Sequence, residues 1–121
     1  MAKHNLLGKK GEKLAISYLK IHGYDILETN WFYEKKEIDI IARKNDLIII
    51  VEVKTRSTDF FGNPEESVTS LKQKFLIDAA DEYLQLLDFD AEVRYDIISI
   101  VKNNKKERIY HIKEAFTPSL Y

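Results

Sequence analysis

The segment from Glu37 to Lys54 constrains the fold of this chain more than any other stretch, because Ile and Val are dense on both sides of a short polar turn. β-Branched residues favour strands, whereas Asn and Asp tolerate the backbone of a tight turn. The segment therefore predicts a β-hairpin with Asn45 and Asp46 at its centre. Opposed residues then have numbers with a constant sum, which pairs Lys44 with Leu47, Asp39 with Glu52 and Glu37 with Lys54.

The two faces of this hairpin are predicted to differ in chemistry. One is apolar and carries Ile38, Ile40, Ala42, Ile49, Val51 and Val53. The other carries Glu37, Asp39, Glu52 and Lys54, with Ile41 and Ile50 nearer the turn. Two carboxylates about 5 Å apart repel by about 3 kcal/mol at an effective dielectric of about 20. A shared proton, nearby cations or a divalent metal must relieve them, and paired carboxylates suit Mg²⁺ or Mn²⁺.

The spacing of Asp39 and Glu52-Val53-Lys54 resembles the PD-(D/E)xK signature of the restriction-endonuclease-like superfamily. A longer likeness, along almost the whole chain, is to the bacterial YraN-like family. The motifs that carry it are Gly8-Lys9-Lys10-Gly11-Glu12, Gly23-Tyr24, Asn30-Trp31, Glu37-Ile38-Asp39, Val51-Glu52-Val53-Lys54-Thr55-Arg56, Phe61-Gly62-Asn63-Pro64 and Arg94-Tyr95-Asp96. This resemblance implies a fold similar to that of archaeal Holliday-junction resolvases.

The resemblance also implies a catalytic site. Asp39, Glu52 and the backbone carbonyl of Val53 would hold Mg²⁺ or Mn²⁺, and Lys54 would assist hydrolysis of a phosphodiester. Glu12, on the first helix, would complete or support the metal site. Spacing alone favours a different interpretation of Glu12, as a solvated helix residue beside Lys9 and Lys13, and the resemblance reverses that preference.

Nucleic-acid contacts are predicted around this site. Basic residues that can form a local positive rim for the phosphate backbone are Lys9, Lys10, Lys35, Arg56 and Lys72. Gln73 shares the first turn of the second helix with Lys72, and in superfamily nucleases a Lys or Gln there often faces the site. For both residues a solvated first turn is an equal alternative. The chain departs from the commoner family pattern at Phe32, where Arg is usual, and at Lys36, where Gly is usual.

The remaining elements follow from periodicity and end signals. Helices are predicted over Asn5–His22, ended by Gly23, and over Ser70–Leu87, begun by a Ser70–Gln73 capping box. Strands are predicted over Tyr24–Tyr33, Ala91–Val101 and Ile109–Ile112. With the hairpin, this gives an α/β domain with a restriction-endonuclease-like core, a mixed five-stranded sheet and flanking helices in the order αβββαββ.

Several side chains have simpler structural interpretations. Trp31 and Phe32 are predicted to lie in the core, and Gly8 and Gly11 to allow close backbone approach. Arg94 and Asp96 are expected to form a surface ion pair. The loop 56–64 is either a mobile substrate contact or a connector with Phe60 and Phe61 on the core, and the residues do not separate the two. His4, His22 and His111 have no metal-ligand spacing.

Composition sets broad limits. A chain of 121 residues fits one domain, and 45% hydrophobic with 32% charged residues is typical of an ordinary folded protein. The absence of Cys excludes disulfides, thiolate metal sites and a cysteine nucleophile. Neither a membrane-length apolar run nor a secretory h-region is present, so a cytoplasmic location is the default expectation. The net charge of -1 gives no global attraction to nucleic acid, so binding needs a local basic patch.

Three functions remain open on these residues. The first is a metal-dependent deoxyribonuclease. The resemblance suggests branched DNA such as a four-way junction, and symmetric cutting of a junction requires two sites and therefore a homodimer. The second is a nucleic-acid-binding accessory protein that keeps the fold without turnover. The third is a structural or protein-interaction domain in which Glu37, Asp39, Glu52 and Lys54 form a satisfied charge ladder.

Overall fold

Seven elements follow one another in the computed structural model, which describes residues 2–58 and 67–118, with the backbone alone for residues 2–5. They are α1 (Ala2–Ile21), β1 (Asp25–Tyr33), β2 (Lys36–Lys44), β3 (Leu47–Arg56), α2 (Ser70–Leu84), β4 (Glu92–Lys102) and β5 (Glu107–Phe116). The strands form one sheet in the order β1-β2-β3-β4-β5. β3 and β4 run parallel and the other neighbours run antiparallel. The predicted mixed α/β fold in the order αβββαββ is therefore confirmed.

The two helices cover opposite faces of the sheet. Under α1, the apolar cluster is built from Ala15, Leu19, Tyr24, Ile40, Ala42, Ile49, Val51, Ile98 and Ile100. Under α2, the core residues include Ile38, Ile41, Ile48, Ile50, Leu76, Ala79, Ala80, Tyr83, Tyr95 and Ile97. The central strands are buried on both faces, which explains their nearly continuous apolar sequence. Neither described helix is long and apolar enough to cross a membrane.

Glycine fixes both the end and the docking of α1. Gly23 has a φ of 88°, and the N–H groups of Gly23 and Tyr24 donate to the carbonyls of Lys20 and Leu19 at 3.1 and 2.9 Å. This is the predicted glycine stop, in Schellman geometry. At Gly11 a Cβ atom would overlap the Thr55 side chain of β3, so the predicted close approach is confirmed there. The same prediction for Gly8 is wrong, because a Cβ atom there has no neighbour within 4 Å.

The hairpin turn forms as predicted, but its strands separate earlier than expected. Lys44 pairs with Leu47, and the register continues to the pair of Ile40 with Val51. The predicted pairs of Asp39 with Glu52 and Glu37 with Lys54 are not part of the ladder. Instead, the Val53 N–H donates to Oδ2 of Asp39 at 2.8 Å. The Asp39 carboxylate thus accepts the hydrogen bond that a backbone carbonyl of β2 would accept in a continuous ladder. Pairing between β2 and β3 ends before these polar residues.

The predicted apolar face of the hairpin is wrong at Ile38. Ile38 packs in the cluster under α2, whereas Ile40 packs in the cluster under α1. Residues two apart share a face only in a regular strand. Between the pairs Thr29–Ile40 and Trp31–Ile38 lies Asn30, whose φ of 50° breaks the regular geometry of β1 opposite Asp39. The irregularity turns Ile38 to the other face.

Two details of the aromatic and cap predictions also need correction. Trp31 packs on the core against Tyr83, with ring centroids 5.2 Å apart, but Phe32 is 59% exposed rather than buried. α2 is capped by Thr69, whose side chain accepts from the Lys72 N–H at 3.2 Å. The predicted Ser70–Gln73 capping box is therefore one residue out of place, because a threonine precedes the serine.

Arg94 and Asp96 form a buried network rather than the predicted surface pair. Asp96 accepts two bonds from the Arg94 guanidinium, at 2.9 and 2.8 Å, and one from the Glu114 N–H at 3.0 Å. Nε2 of His111 lies 2.7 Å from Oδ2 of Asp96, and Tyr24 accepts from Arg94 at 2.8 Å. Burial alone would raise the pKa of Asp96, but the bonds from His111 and Arg94 outweigh it and lower that pKa.

Candidate active site

Two carboxyl groups meet where β2 leaves β3. Glu52 is 4% exposed, and the carboxyl of Asp39 lies within hydrogen-bonding reach of it. Burial, the bond to Glu52 and the charge of Glu52 raise the pKa of Asp39 to about 9, against the opposing effect of the Val53 N–H. The pair therefore holds a proton at neutral pH unless a cation replaces it.

Two lysines approach Glu52 from different elements. Nζ of Lys54, on the same strand, lies 3.7 Å from Oε2 of Glu52, and Nζ of Lys72, on the first turn of α2, lies 3.4 Å from the same oxygen. Both lysine side chains are about one-third exposed. The site therefore has a carboxyl pair at its base and two cations that solvent and ligands can reach.

Glu12 reaches the same site from α1. The Nδ2 atom of Asn30 lies 3.4 Å from each Glu12 carboxyl oxygen and 3.2 Å from Oε2 of Glu37. Burial raises the pKa of Glu12, with Asn30 opposing and the charges of Glu37 and Glu52 adding to the rise. Glu12 therefore shares the Asn30 amide with Glu37 and lies near enough to Glu52 for that charge to act on its pKa.

Asn30 is the residue that the sequence interpretation did not assign to the site. Its amide joins Glu12 on α1 to Glu37 on β2, and its φ of 50° lies in the left-handed region that Asn adopts more readily than most residues. The Asn30-Trp31 pair carried part of the family resemblance, but periodicity assigned no role to the amide. The sequence signal that could have indicated this role is an isolated Asn within a predicted strand.

The other predicted contact residues divide into near and distant groups. Gln73 donates to the carbonyl of Val68 at 3.1 Å, so its side chain serves the start of α2. Arg56 is half-buried at the end of β3, whereas Lys9, Lys10 and Lys35 are exposed on α1 and the β1–β2 turn. Phe60, Phe61 and most of the loop 56–64 lie outside the described residues, so the two interpretations of that loop stay open.

The departure from the family pattern at Lys36 has a structural counterpart. The left-handed residue of the β1–β2 turn is Glu34, with a φ of 56°, so position 36 does not need glycine here. Nζ of Lys36 lies 3.8 Å from Oδ2 of Asp78 on α2. It also lies 5.7 Å from the ring centroids of both Tyr33 and Phe75.

The donor set suits a hard divalent cation. Asp39 and Glu52 present carboxylate oxygens in a setting where their own repulsion favours a bound cation, and oxygen donors are those that Mg²⁺ and Mn²⁺ prefer. Within residues 2–58 and 67–118, no three His, Cys, Asp or Glu side chains converge as a metal-binding group. A metal here would therefore depend on two carboxylates with backbone and water oxygens, the pattern in which Val53 was predicted to take part.

Comparisons with known proteins agree on one family. Residues 11–100 match the model of the family described as "Uncharacterised protein family UPF0102". A UPF0102 protein of Bacteroides thetaiotaomicron is 50% identical over 121 residues, which is all of both chains. UPF0102 proteins of Flavobacterium psychrophilum and Christiangramia forsetii are each 49% identical over 116 residues, covering 96% of this chain and 98% of each relative. The similarity to these bacterial proteins therefore extends over nearly the whole chain, including the residues of the candidate site.

Proposed function

The chain belongs to the uncharacterised protein family UPF0102, and from that premise and the site geometry we propose that it is a metal-dependent deoxyribonuclease. The observation that carries the proposal is the pairing of Asp39 with Glu52 beneath two accessible lysines. Metal-assisted hydrolysis of a phosphodiester needs oxygen ligands for a cation and positive charge for the phosphoryl oxygens. Both requirements are met within one small region.

Asp39 and Glu52, with the carbonyl of Val53, are proposed to hold Mg²⁺ or Mn²⁺. When bound, the ion supplies a Lewis acid that polarises a phosphoryl oxygen. Asp39 must lose its proton for this role, so metal affinity is expected to rise with pH. The Val53 N–H fixes the orientation of the Asp39 carboxylate.

Lys54 is proposed to orient the attacking water or to stabilise the charge that develops on the phosphoryl group. Its ammonium lies 3.7 Å from Oε2 of Glu52, and its side chain is about one-third exposed. Lys72, at 3.4 Å from the same carboxylate, supplies a second cation from a separate element. Glu12 supports the site from α1 through Asn30.

Substrate contacts are proposed to come from a local basic rim, since the net charge of -1 gives no general attraction to DNA. Lys54 and Lys72 lie within 4 Å of Glu52, and Arg56 ends the strand that carries Glu52 and Lys54. Branched DNA is the proposed substrate class, and symmetric cleavage of a junction would require a homodimer.

Cleavage of labelled DNA tests the proposal. Duplex, single-stranded, flapped and four-way-junction DNA are incubated with Mg²⁺ or Mn²⁺ and with wild type, Glu52→Gln or Lys54→Ala. Wild type is expected to cut at least one substrate, and both variants to lose at least about 100-fold in rate, as for loss of one preorganised electrostatic group. Glu107→Gln, which removes one carboxylate from an exposed pair with Lys102, is the matched control and should cut as wild type does. Undiminished cleavage by Glu52→Gln would contradict the assignment.

A non-catalytic accessory protein is the second candidate, favoured by the two lysines that already neutralise Glu52. Such a protein binds DNA but yields no product with any divalent metal. Thermal melting with and without Mg²⁺ tests the third hypothesis, a structural domain with a charge ladder and no metal. The nuclease proposal expects Mg²⁺ to raise the melting temperature of wild type but not that of the Asp39→Asn, Glu52→Gln double variant, whereas a charge ladder without a metal gives no rise in either protein.

A further inference from the structure

An exposed apolar strip lies on α2 beside the candidate active site. Leu71 is 61% exposed and Phe75 is 39% exposed. Because residues four apart share one helix face, the two side chains are neighbours and are called here the α2 strip. The core-facing side of the same helix is supplied instead by Leu76, Ala79, Ala80 and Tyr83. The Phe75 ring is therefore not needed to fill the core.

Two lysines lie near this strip, each close to a carboxylate. Lys72, between the two residues in sequence, places its ammonium 3.4 Å from Glu52. The Lys36 ammonium lies 5.7 Å from the Phe75 ring centroid and is held by Asp78 at 3.8 Å. Lys72, on the same helix, thus reaches the carboxyl pair, and Lys36, at the start of β2, lies beside the Phe75 ring.

An exposed aromatic ring beside one lysine, with a second lysine on the same helix, is suited to a nucleic-acid strand. Phosphates complement the ammonium groups, and a base can stack on the ring face with little dependence on its identity. In a fully paired duplex the base faces are covered by neighbouring bases. A ring can therefore stack only on a base that is unpaired or has been turned out of the helix.

We propose that the α2 strip, with Lys36 and Lys72, binds an unpaired base and the adjoining phosphates of a DNA strand that enters the active site. The inference rests on the proposed function and deepens it, because it gives the site a preference for single-stranded or branched DNA. Phe75 supplies the stacking face, Leu71 extends the apolar contact, and the lysines hold the backbone.

Equilibrium binding tests the proposal without turnover. Anisotropy of a labelled single-stranded oligonucleotide, and of the fully paired duplex of the same sequence, is measured at low salt in EDTA. Phe75→Leu keeps apolar bulk but removes the ring, and is expected to bind the single strand about tenfold more weakly, within the range for one base–aromatic stack. Its duplex affinity should stay within about twofold. Phe75→Tyr, which keeps a ring, and Leu86→Ala, at an apolar residue 70% exposed beyond the end of α2, should match wild type.

Several outcomes would overturn the proposal. The proposal fails if Phe75→Leu binds the single strand as tightly as wild type does. It also fails if the variant loses duplex and single-strand affinity equally, or if wild type does not bind the single strand. Sedimentation identifies a competing occupant, since a wild-type dimer that Phe75→Leu converts to a monomer would show that a second copy covers the strip. Because EDTA prevents metal-dependent cleavage, a protein that shows this selectivity but never cuts DNA refutes only the nuclease function.

Discussion

At the scale of single residues, the candidate site centres on the half-buried carboxyl group of Asp39, which lies beside the buried carboxyl group of Glu52. Asp39 and Glu52 are close enough to share a proton, and one backbone N–H, from Val53, is bound to Asp39. Burial and the second carboxyl group raise the pKa of Asp39 to about 9, from an ordinary value of 3.8. Strongly perturbed pKa values cluster at functional sites, which makes Asp39 a candidate for such a role.

The raised pKa predicts how stability depends on pH in the absence of metal. Between pH 4 and 9 the folded state retains a proton on Asp39 that the unfolded chain has released. The associated stability is complete below about pH 4 and is lost as the pH rises through about 9. Asp39→Asn keeps an oxygen for the Val53 N–H but carries no charge, so it should be at least about 1 kcal/mol more stable than wild type at pH 8.5 in EDTA.

Urea unfolding at pH 5, 7 and 8.5 measures this difference, which should shrink as the pH falls. Asp46→Asn is the matched control, because that side chain lies in the same hairpin and is 88% exposed. Its pH profile should follow that of wild type. An Asp39→Asn profile parallel to wild type would show that the carboxyl group titrates normally.

At the scale of elements, the site depends on how closely α1 approaches the sheet. Gly11 of α1 lies against Thr55 of β3. Gly11 immediately precedes Glu12, and Thr55 immediately follows Lys54. The contact therefore positions a site residue on each element. Gly8, one turn earlier in α1, faces open space.

The two glycines predict opposite effects of one substitution. Gly8→Ala should raise stability by about 0.5–1 kcal/mol, because alanine favours the helix. Gly11→Ala gains the same propensity but forces its methyl group into Thr55, so it should lower stability by about 1–3 kcal/mol. Chemical denaturation of both variants gives the comparison. Thr55→Ala in the Gly11→Ala chain removes two of the three overlapping atoms and should restore part of the loss; equal stabilities for the two single variants would disprove the close contact.

At the scale of the whole molecule, two clusters of polar side chains differ in how their carboxyl groups are paired: the candidate active site and the network around Asp96. At the candidate active site, acidic groups lie close together, and the pKa values of Asp39 and Glu12 are raised. In the second cluster, Asp96 accepts bonds from Arg94, His111 and Glu114, and Tyr18 and Tyr24 extend the network to α1 and the start of β1. The network therefore joins the first helix to β4 and β5. The first cluster is suited to chemistry, and the second holds the elements together.

Removal of the Asp96 charge should destabilise the whole fold. Asp96→Asn leaves the Arg94 guanidinium without its carboxylate and replaces an acceptor with a donor, at an expected cost of about 3 kcal/mol at pH 7. Because its pKa is lowered below 3.8, Asp96 contributes this stability above about pH 4 and loses it only in stronger acid, the opposite of Asp39. Denaturant unfolding at pH 7 provides the measurement. Glu107→Gln in the exposed pair with Lys102 should change stability by less than about 0.5 kcal/mol, and an equally small change for Asp96→Asn would argue against the network.

The sequence by itself determined the features that depend on neighbours along the chain. The turn at Asn45 and Asp46, the stop at Gly23 and the order of elements are local, because β-branched runs, turn residues and a left-handed glycine act within a few positions. The carboxylates and Lys54 could be selected as well, since their spacing within one hairpin carries the resemblance.

Tertiary structure alone decided where regular periodicity fails and which elements meet. Ile38 changes face where the positive φ of Asn30 departs from strand geometry opposite Asp39, which a two-residue period does not encode. Asp96 is buried, and Lys72 rather than Gln73 contacts Glu52, because α1, α2 and β5 pack against particular strands. Local preference acts over a few residues, whereas burial and charge pairing depend on contacts between residues far apart in the chain, and those contacts exist only once the sheet is covered on both faces.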